Sequence, residues 1–298
     1  MGFPPSDEVA VGVAISDGAL QLLETEPGLI DYVEAPFERL LHTPEIVDGL
    51  PVPVILHSAS LSLAGNLPPD PSIVAKLEQS IARTATPWVG EHLAFLAMAE
   101  RREQQEQNPA FAPTLDFPQD VEGLYNVSYT VSPQYSDEML DRICAALDEW
   151  ESRLACPLIL ENGPVYFQMP GSTMSQAEFI SALCRRRPDT RLLLDLAHLS
   201  CTAANTGERL DPLLDSLPLE QVVEVHLSGA TGEAGVMWDD HAAPISPRLF
   251  ALLERLLRRV RPRAVTIEYN WDPDFPRSTL RQDLERVRHA ASAPAPAA

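Results

Sequence analysis

Eight short runs along the chain are dense in branched and aromatic apolar residues, and helix-length segments separate most of them. They are VAVGVAI (9–15), LIDYVEA (29–35), VPVILHS (52–58), PWVGEHLAF (87–95), PLILEN (157–162), RLLLDLA (191–197), VVEVHLS (222–228) and AVTIEYN (264–270). Several are almost continuously apolar, as parallel strands covered on both faces are. The segments between them change period. SIVAKLEQSIART, SDEMLDRICAALDEWESRL, SQAEFISALCRRR and SPRLFALLERLLRRV place apolar residues three and four apart, the spacing of one helix face. Ser175 and Ser246 stand where helix N-caps belong. Strand-then-helix units repeated eight times predict an α/β chain folded as a single (β/α)8 TIM-type barrel. No sequence repeat of fixed period accompanies them.

Residues 96–135 break the rhythm. The stretch AERREQQEQNPAFAPTLDFPQD is too polar and proline-rich for a core. It is expected to run over the top of the barrel as a lid, a docking surface or a plain solvated loop. The barrel is expected to occupy residues 1–290, with an Ala/Pro-rich disordered tail at 291–298. A length of 298 residues suits one such unit, since these barrels run to about 250 residues.

Composition adds limits. Apolar residues make up 45% of the chain, enough for a large core. No uninterrupted apolar run of about 20 residues exists, so no transmembrane helix is expected. The opening MGFPPSDEVAVG lacks a basic n-region, which makes the cytoplasm the expected location. Cys144, Cys156, Cys184 and Cys201 show no CxxC spacing, so neither disulfides nor a thiolate zinc knuckle is expected. Three of them read as core; Cys201, close to Asp195 and His198 in sequence, is a minor site candidate. The formal charge of −21 repels phosphate backbones and argues against a nucleic-acid surface.

Chemistry concentrates at the strand ends, where barrels of this kind keep their catalytic groups. The second run carries Glu34, the third His57, the fourth Glu91 and His92, and the fifth Glu161 and Asn162. The sixth carries Asp195 with His198 just beyond it, the seventh His226, the eighth Glu268. The segment after the seventh adds Asp239, Asp240 and His241. Five of the seven histidines sit at this rim; His42 and His289 read as surface residues. Converging imidazoles and carboxylates without a metal would leave several desolvated groups unpaired, at several kcal/mol each. A metal site follows. The donors suit iron, manganese or zinc. Their number exceeds the needs of one ion and suits two or three, bridged by a carboxylate such as Glu161.

At these residues the chain resembles a known family, the multinuclear non-haem iron-dependent oxidative enzymes (MNIO), formerly a domain of unknown function, which includes the methanobactin oxazolone/thioamide-forming enzyme. The resemblance covers roughly residues 10–285 and rests on motifs in order. They are His57-Ser-Ala-Ser-Leu-Ser-Leu63, Glu91-His92-Leu93, Leu160-Glu161-Asn162, Leu194-Asp195-Leu-Ala-His198, Val225-His226-Leu227-Ser-Gly229, Asp239-Asp-His241 and Ile267-Glu268. It implies two or three iron ions, held by His57, His92, Glu161, Asn162, Asp195, His198, His226, Asp239, His241 and Glu268, with no catalytic residue assignable beyond them. It also implies O2 as co-substrate and oxidation of a small ribosomal precursor peptide, often at cysteine. Departures surround this set: Ser58 replaces the usual glycine, Glu38-Arg39 replaces a Glu-Asn pair, and Asn270 replaces an acidic residue.

Two other readings remain open: a multi-zinc or manganese hydrolase or isomerase of the xylose-isomerase-like barrels, and a non-catalytic scaffold. A sugar isomerase would want a lysine near the metals, and the only lysine, Lys76, is not at a strand end. The chain ends within thirty residues of the last predicted strand, so a separate peptide-recognition partner protein is expected. Residues 96–125, Trp238 and Trp271 are the candidate docking elements, the two tryptophans equally readable as walls of the metal pocket.

Overall fold

The computed structural model describes residues 3–4, 8–66, 69–99, 124–269 and 277–292. Twelve strands are found among them, numbered along the chain. Eight are parallel and close a barrel: β1 (Ala10–Ala14), β2 (Tyr32–Pro36), β3 (Val54–Ser58), β4 (Val89–His92), β7 (Leu158–Glu161), β8 (Arg191–Asp195), β9 (Val222–Leu227) and β12 (Ala264–Ile267). They lie around the circle in chain order, and closure pairs Ala10 with Ala264 and Val13 with Ile267. The other four form antiparallel pairs outside the barrel: β5 (Phe95–Ala99) with β6 (Leu124–Val131), and β10 (Thr231–Glu233) with β11 (Val236–Trp238).

Nine helices are described: α1 (Asp17–Thr25), α2 (Phe37–Leu40), α3 (Pro71–Thr84), α4 (Asp137–Arg153), α5 (Gln176–Arg186), α6 (Leu196–Thr206), α7 (Leu210–Asp215), α8 (Pro247–Leu257) and α9 (Arg277–Ala291). Their starts follow local chemistry. The Ser175 hydroxyl accepts from Glu178 N while the Glu178 carboxylate accepts from Ser175 N, a full capping box. The Ser246 hydroxyl accepts from Leu249 N, with Pro247 in the first turn where its missing N–H costs nothing.

Alternation along the strands sorts residues into two layers. Ala10, Tyr32, Ile55, Trp88, Ile159, Leu193 and Ala264 pack together inside the barrel. Their chain neighbours Val11, Val33, Leu56, Val89, Leu160, Leu194 and Val265 belong to the larger cluster shared with the helices. The Tyr32 ring fills the barrel centre by lying over Gly12, where a methyl group would sit 2.4 Å from it. Continued two residues further, the inward rows end in Glu34, His57, Gly90 then His92, Glu161, Asp195 and His226. Glu91 falls on the opposite row. Its buried carboxyl accepts from Leu61 N at 3.4 Å, so the expectation that it faces the rim cluster does not hold.

Three boundaries differ from those expected. The run 87–95 is divided: β4 stops at His92, and Phe95 already belongs to β5, which leaves the barrel to pair with β6. The excursion at 96–135 thus begins and ends as a hairpin rather than a loop, while residues 100–123 lie outside the described residues. Helix α9 reaches Ala291, the first residue assigned to the tail; 293–298, Asn270 and Trp271 lie outside the described residues.

Candidate metal centre

Glu161 is the hub. It stands at the end of β7, 1% exposed, with imidazoles on both oxygens. His57 Nε2 from β3 lies 2.8 Å and His92 Nε2 from β4 lies 3.0 Å from Oε2. His198 Nδ1 lies 3.2 Å and His226 Nδ1 3.7 Å from Oε1. Donor atoms close enough to share an ion fall into overlapping groups: His57–His92–Glu161, Glu161–Asp195–His198, Asp195–His226–Glu268 and His198–Asp239–His241. Nine of the ten expected ligands are joined in this way.

The tenth, Asn162, does something else. Its Nδ2 donates to the Asp195 carbonyl at 3.0 Å, and its Oδ1 accepts from Asp195 N at 2.9 Å. Both amide atoms are therefore spent on bracing β8 against β7. The Asn162 carbonyl also faces His198 Nδ1 at 2.8 Å. A carbonyl only accepts, so Nδ1 carries the proton and Nε2 is left to bind. His92 is held the same way through Nδ1 and the Ser58 carbonyl, 3.2 Å apart. His226 is held through Nε2, 2.9 Å from Glu34, which turns its Nδ1 toward Glu268 at 3.0 Å. Gly90 leaves room for the His57 ring, which would lie 2.7 Å from any Cβ there.

Asp195 serves two elements. Its Oδ1 accepts from His198 N at 2.7 Å and so caps α6. Its Oδ2 is buried and has no hydrogen-bond partner among the described residues. Burial and the neighbouring carboxylates Asp239, Glu161 and Glu268 raise this acid to about 6, against the pull of His198. Burial likewise carries Glu34 up to about 7. For His57, burial works downward, but Glu161 and Glu34 outweigh it and lift the imidazole to about 10. Burial holds His92 below its ordinary value despite Glu161, with His57 and His198 alongside.

Beneath the cluster lies a buried acid that the strand-end pattern does not single out. Glu224 accepts from Trp88 Nε1 and from the Thr266 hydroxyl, both at 2.7 Å, and lies 3.7 Å from His226 Nε2. It sits two residues before His226 on β9. Period-two alternation is the signal that could have found it.

The outer part comes from the segment after β11. Asp239 Oδ2 lies 2.8 Å from His198 Nε2 and 3.0 Å from His241 Nε2. His241 holds a left-handed backbone, φ 53°, a strain of about 1–3 kcal/mol for a residue with a side chain. Asn205 on α6 fastens the hairpin: its amide bonds both the N–H and the carbonyl of Met237, at 2.8 and 2.9 Å. Above the cluster opens a cavity of about 700 Å³, lined by His57, His92, Glu161, His198, Asp239, His241 and Glu268 together with Thr231, Glu233, Trp238 and Asp240. Cys201 is buried on α6 outside every donor group, and burial pushes its thiol up, so it is not a site residue of this centre.

A family model described as RiPP precursor modification enzyme MbnB/TglH/ChrH matches residues 11–115 and 119–292, nearly the whole barrel and every residue of the cluster. The chain belongs to this family. Among relatives, a UPF0276 protein of Streptomyces avermitilis is 30% identical over 89% of this chain; the match spans about half, 52%, of that relative's length. A UPF0276 protein of Caulobacter vibrioides is also 30% identical, over 75% of this chain and 72% of its own. Similar solved structures include D-psicose 3-epimerase from Clostridium cellulolyticum (TM-score 0.53, 11% identity, 95% and 96% of the two chains). Endonuclease IV from Thermus thermophilus is another (TM-score 0.50, 17% identity, 94% and 99%). At such identities these two likenesses concern the barrel alone. No helix among the described residues is long and apolar enough to cross a membrane.

Proposed function

We propose that the chain is a multinuclear non-haem iron, O2-dependent oxidase that modifies a ribosomally synthesised precursor peptide, at cysteine. The observation that carries this reading is the unbroken run of donor groups joined through Glu161, Asp195 and His198 at the floor of an open cavity. The residues fit metal ions. Asp195 Oδ2 is buried without a hydrogen-bond partner among the described residues, and the set is imidazole and carboxylate with no thiolate among it. His57, His92 and Glu161 would hold one ion. Asp195, His226 and Glu268, sharing Glu161, would hold a second. His198, Asp239 and His241 would hold a third, with Asn162 as brace.

When bound, iron supplies redox capacity for oxidation by O2 and a Lewis acid that lowers the pKa of a substrate thiol. The chain's own groups set up that chemistry. Glu34, Ser58 and Asn162 fix which imidazole nitrogen faces the centre. The rim of Thr231, Glu233 and Trp238 admits one side chain from an extended peptide. The barrel unit, residues 1–290, works in the cytoplasm with a separate recognition protein that delivers the peptide.

The test is elemental analysis of the chain prepared anaerobically with excess iron, followed by O2 consumption on adding the small peptides encoded beside its gene. Two to three irons and peptide-dependent uptake are expected. A single tightly held zinc with no uptake would overturn the oxidase reading.

A further inference from the structure

The hairpin β10–β11 turns through Ala234 and Gly235, at φ 51° and 82°, the two-residue geometry whose twist matches its strands. Its register sets Thr231 opposite Trp238, Gly232 opposite Met237 and Glu233 opposite Val236. The Met237 N–H and carbonyl are both taken by the Asn205 amide, so both point away from β10. In an antiparallel pair, directly opposed residues send their main-chain groups either both inward or both outward. The N–H and C=O of Gly232 therefore point outward too, from the far edge of β10. That edge is exposed, and no hydrogen bond to it is found among the described residues.

Three more observations say what belongs there. Thr231, Glu233 and Trp238 line the cavity, so one face of the hairpin looks over the metal centre. Gly232 has no side chain to hold a neighbour off; a Cβ built there meets nothing nearer than Met237 Cε at 3.9 Å. The surroundings are acidic and aromatic. Glu233 is exposed and Asp240 accepts from the Thr231 hydroxyl. Trp238, 41% exposed, packs at a tilt against Tyr166 with ring centres 5.0 Å apart, next in sequence to Phe167, 62% exposed.

We propose that the peptide substrate adds to the outer edge of β10 as a third strand, bonded to the main chain of Gly232. This rests on the reading of a peptide substrate given above. Side chains alternate across a strand, so every second residue of the added peptide turns into the cavity, and one of them reaches the metals. Main-chain bonding gives affinity without demanding particular residues. The acidic edge then favours peptides with basic residues beside the reacting one over peptides with acidic residues there.

The experiment uses the metal-loaded full chain and, as probe, the precursor peptide that the wild type converts in the O2 assay, labelled with fluorescein. Gly232→Pro deletes the N–H donor; Gly232→Ala keeps it. Proline is expected to weaken binding about tenfold, the worth of one hydrogen bond, and to raise KM more than it lowers kcat. Alanine, which keeps the donor, is expected to bind more tightly than proline, and both variants to keep full metal content. The same peptide, N-methylated one residue at a time, tests the idea on unaltered protein: one position, whose N–H meets the Gly232 carbonyl, is expected to weaken binding by a similar factor. Undiminished binding by Gly232→Pro, together with indifference to every N-methyl group, overturns the strand-addition mode and leaves the oxidase reading standing. A wild-type chain that converts no peptide even with its recognition partner present removes both.

Discussion

Asp195 shows how one side chain carries both stability and chemistry. One carboxylate oxygen caps α6; the other has no hydrogen-bond partner among the described residues and belongs to the donor groups. Asparagine keeps a capping oxygen but loses the negative charge; alanine loses both. Asp195→Asn and Asp195→Ala are therefore both expected to lower metal content. Alanine should be the less stable of the two by about 1 kcal/mol, the worth of an N-cap. Elemental analysis and urea unfolding of the two metal-free variants check this; equal stabilities would mean the cap contributes nothing. Much at this scale was legible in the sequence. His57, His92, Glu161, Asp195, His198, His226, Asp239, His241 and Glu268 are all brought together, because each lies on an inward row, in the first turn of α6 or in the segment that folds over the barrel. Asn162 was legible as a member but not in its role. An amide beside a metal site can bind the ion or brace its neighbour, and only the distance to the Asp195 main chain separates the two.

Helix α6 organises a larger piece of the centre. Its cap is Asp195, its first turn holds His198, and its last turn holds Asn205, which clasps β11. One rigid element thus ties the inner donors to the outer pair Asp239 and His241. Asn205→Ala removes two hydrogen bonds, a loss of about 2 kcal/mol, from the hairpin that positions the outer pair. About one metal ion per chain is expected to be lost, with the ion at His57, His92 and Glu161 retained. Elemental analysis decides: loss of every ion, or of none, would show that the clasp does not govern the outer site separately. Nothing in the local sequence marks Asn205. It is one polar residue on a helix, and its partner lies 32 residues away in a hairpin that the apolar pattern did not reveal.

For the whole molecule, the barrel brings onto one floor acidic and imidazole groups that repel or attract strongly once desolvated. Glu34, Glu161, Asp195, Glu224 and His226 are all essentially buried. Metal ions that bind only the folded chain stabilise it by mass action, about 4 kcal/mol for one site at a thousandfold excess over Kd. That corresponds to a rise in Tm on the order of 10 °C for a chain of this size. Ferrous iron added anaerobically to chelated protein is expected to produce such a rise, followed by circular dichroism. An unchanged Tm would mean that the buried acids and imidazoles satisfy one another without a cation.

The sequence by itself determined the barrel and the identity of its rim. The eight barrel strands and their inward rows follow from local periodicity, which a linear chain displays directly. It also held enough to exclude Glu91 and include Glu224, since both follow from alternation next to His92 and His226. Only the tertiary structure decided how the donors share one another. His57 and Glu161 are 104 residues apart, and His226 and Glu34 are 192 apart. They meet because the strands close in one register, and a shift of one residue on any strand would turn its donor outward. Which imidazole nitrogen faces the centre, which amide braces and which binds, and which hairpin edge is left open are all set by distances of a few ångströms across that closed ring. Such distances arise only when segments far apart in the chain are packed together.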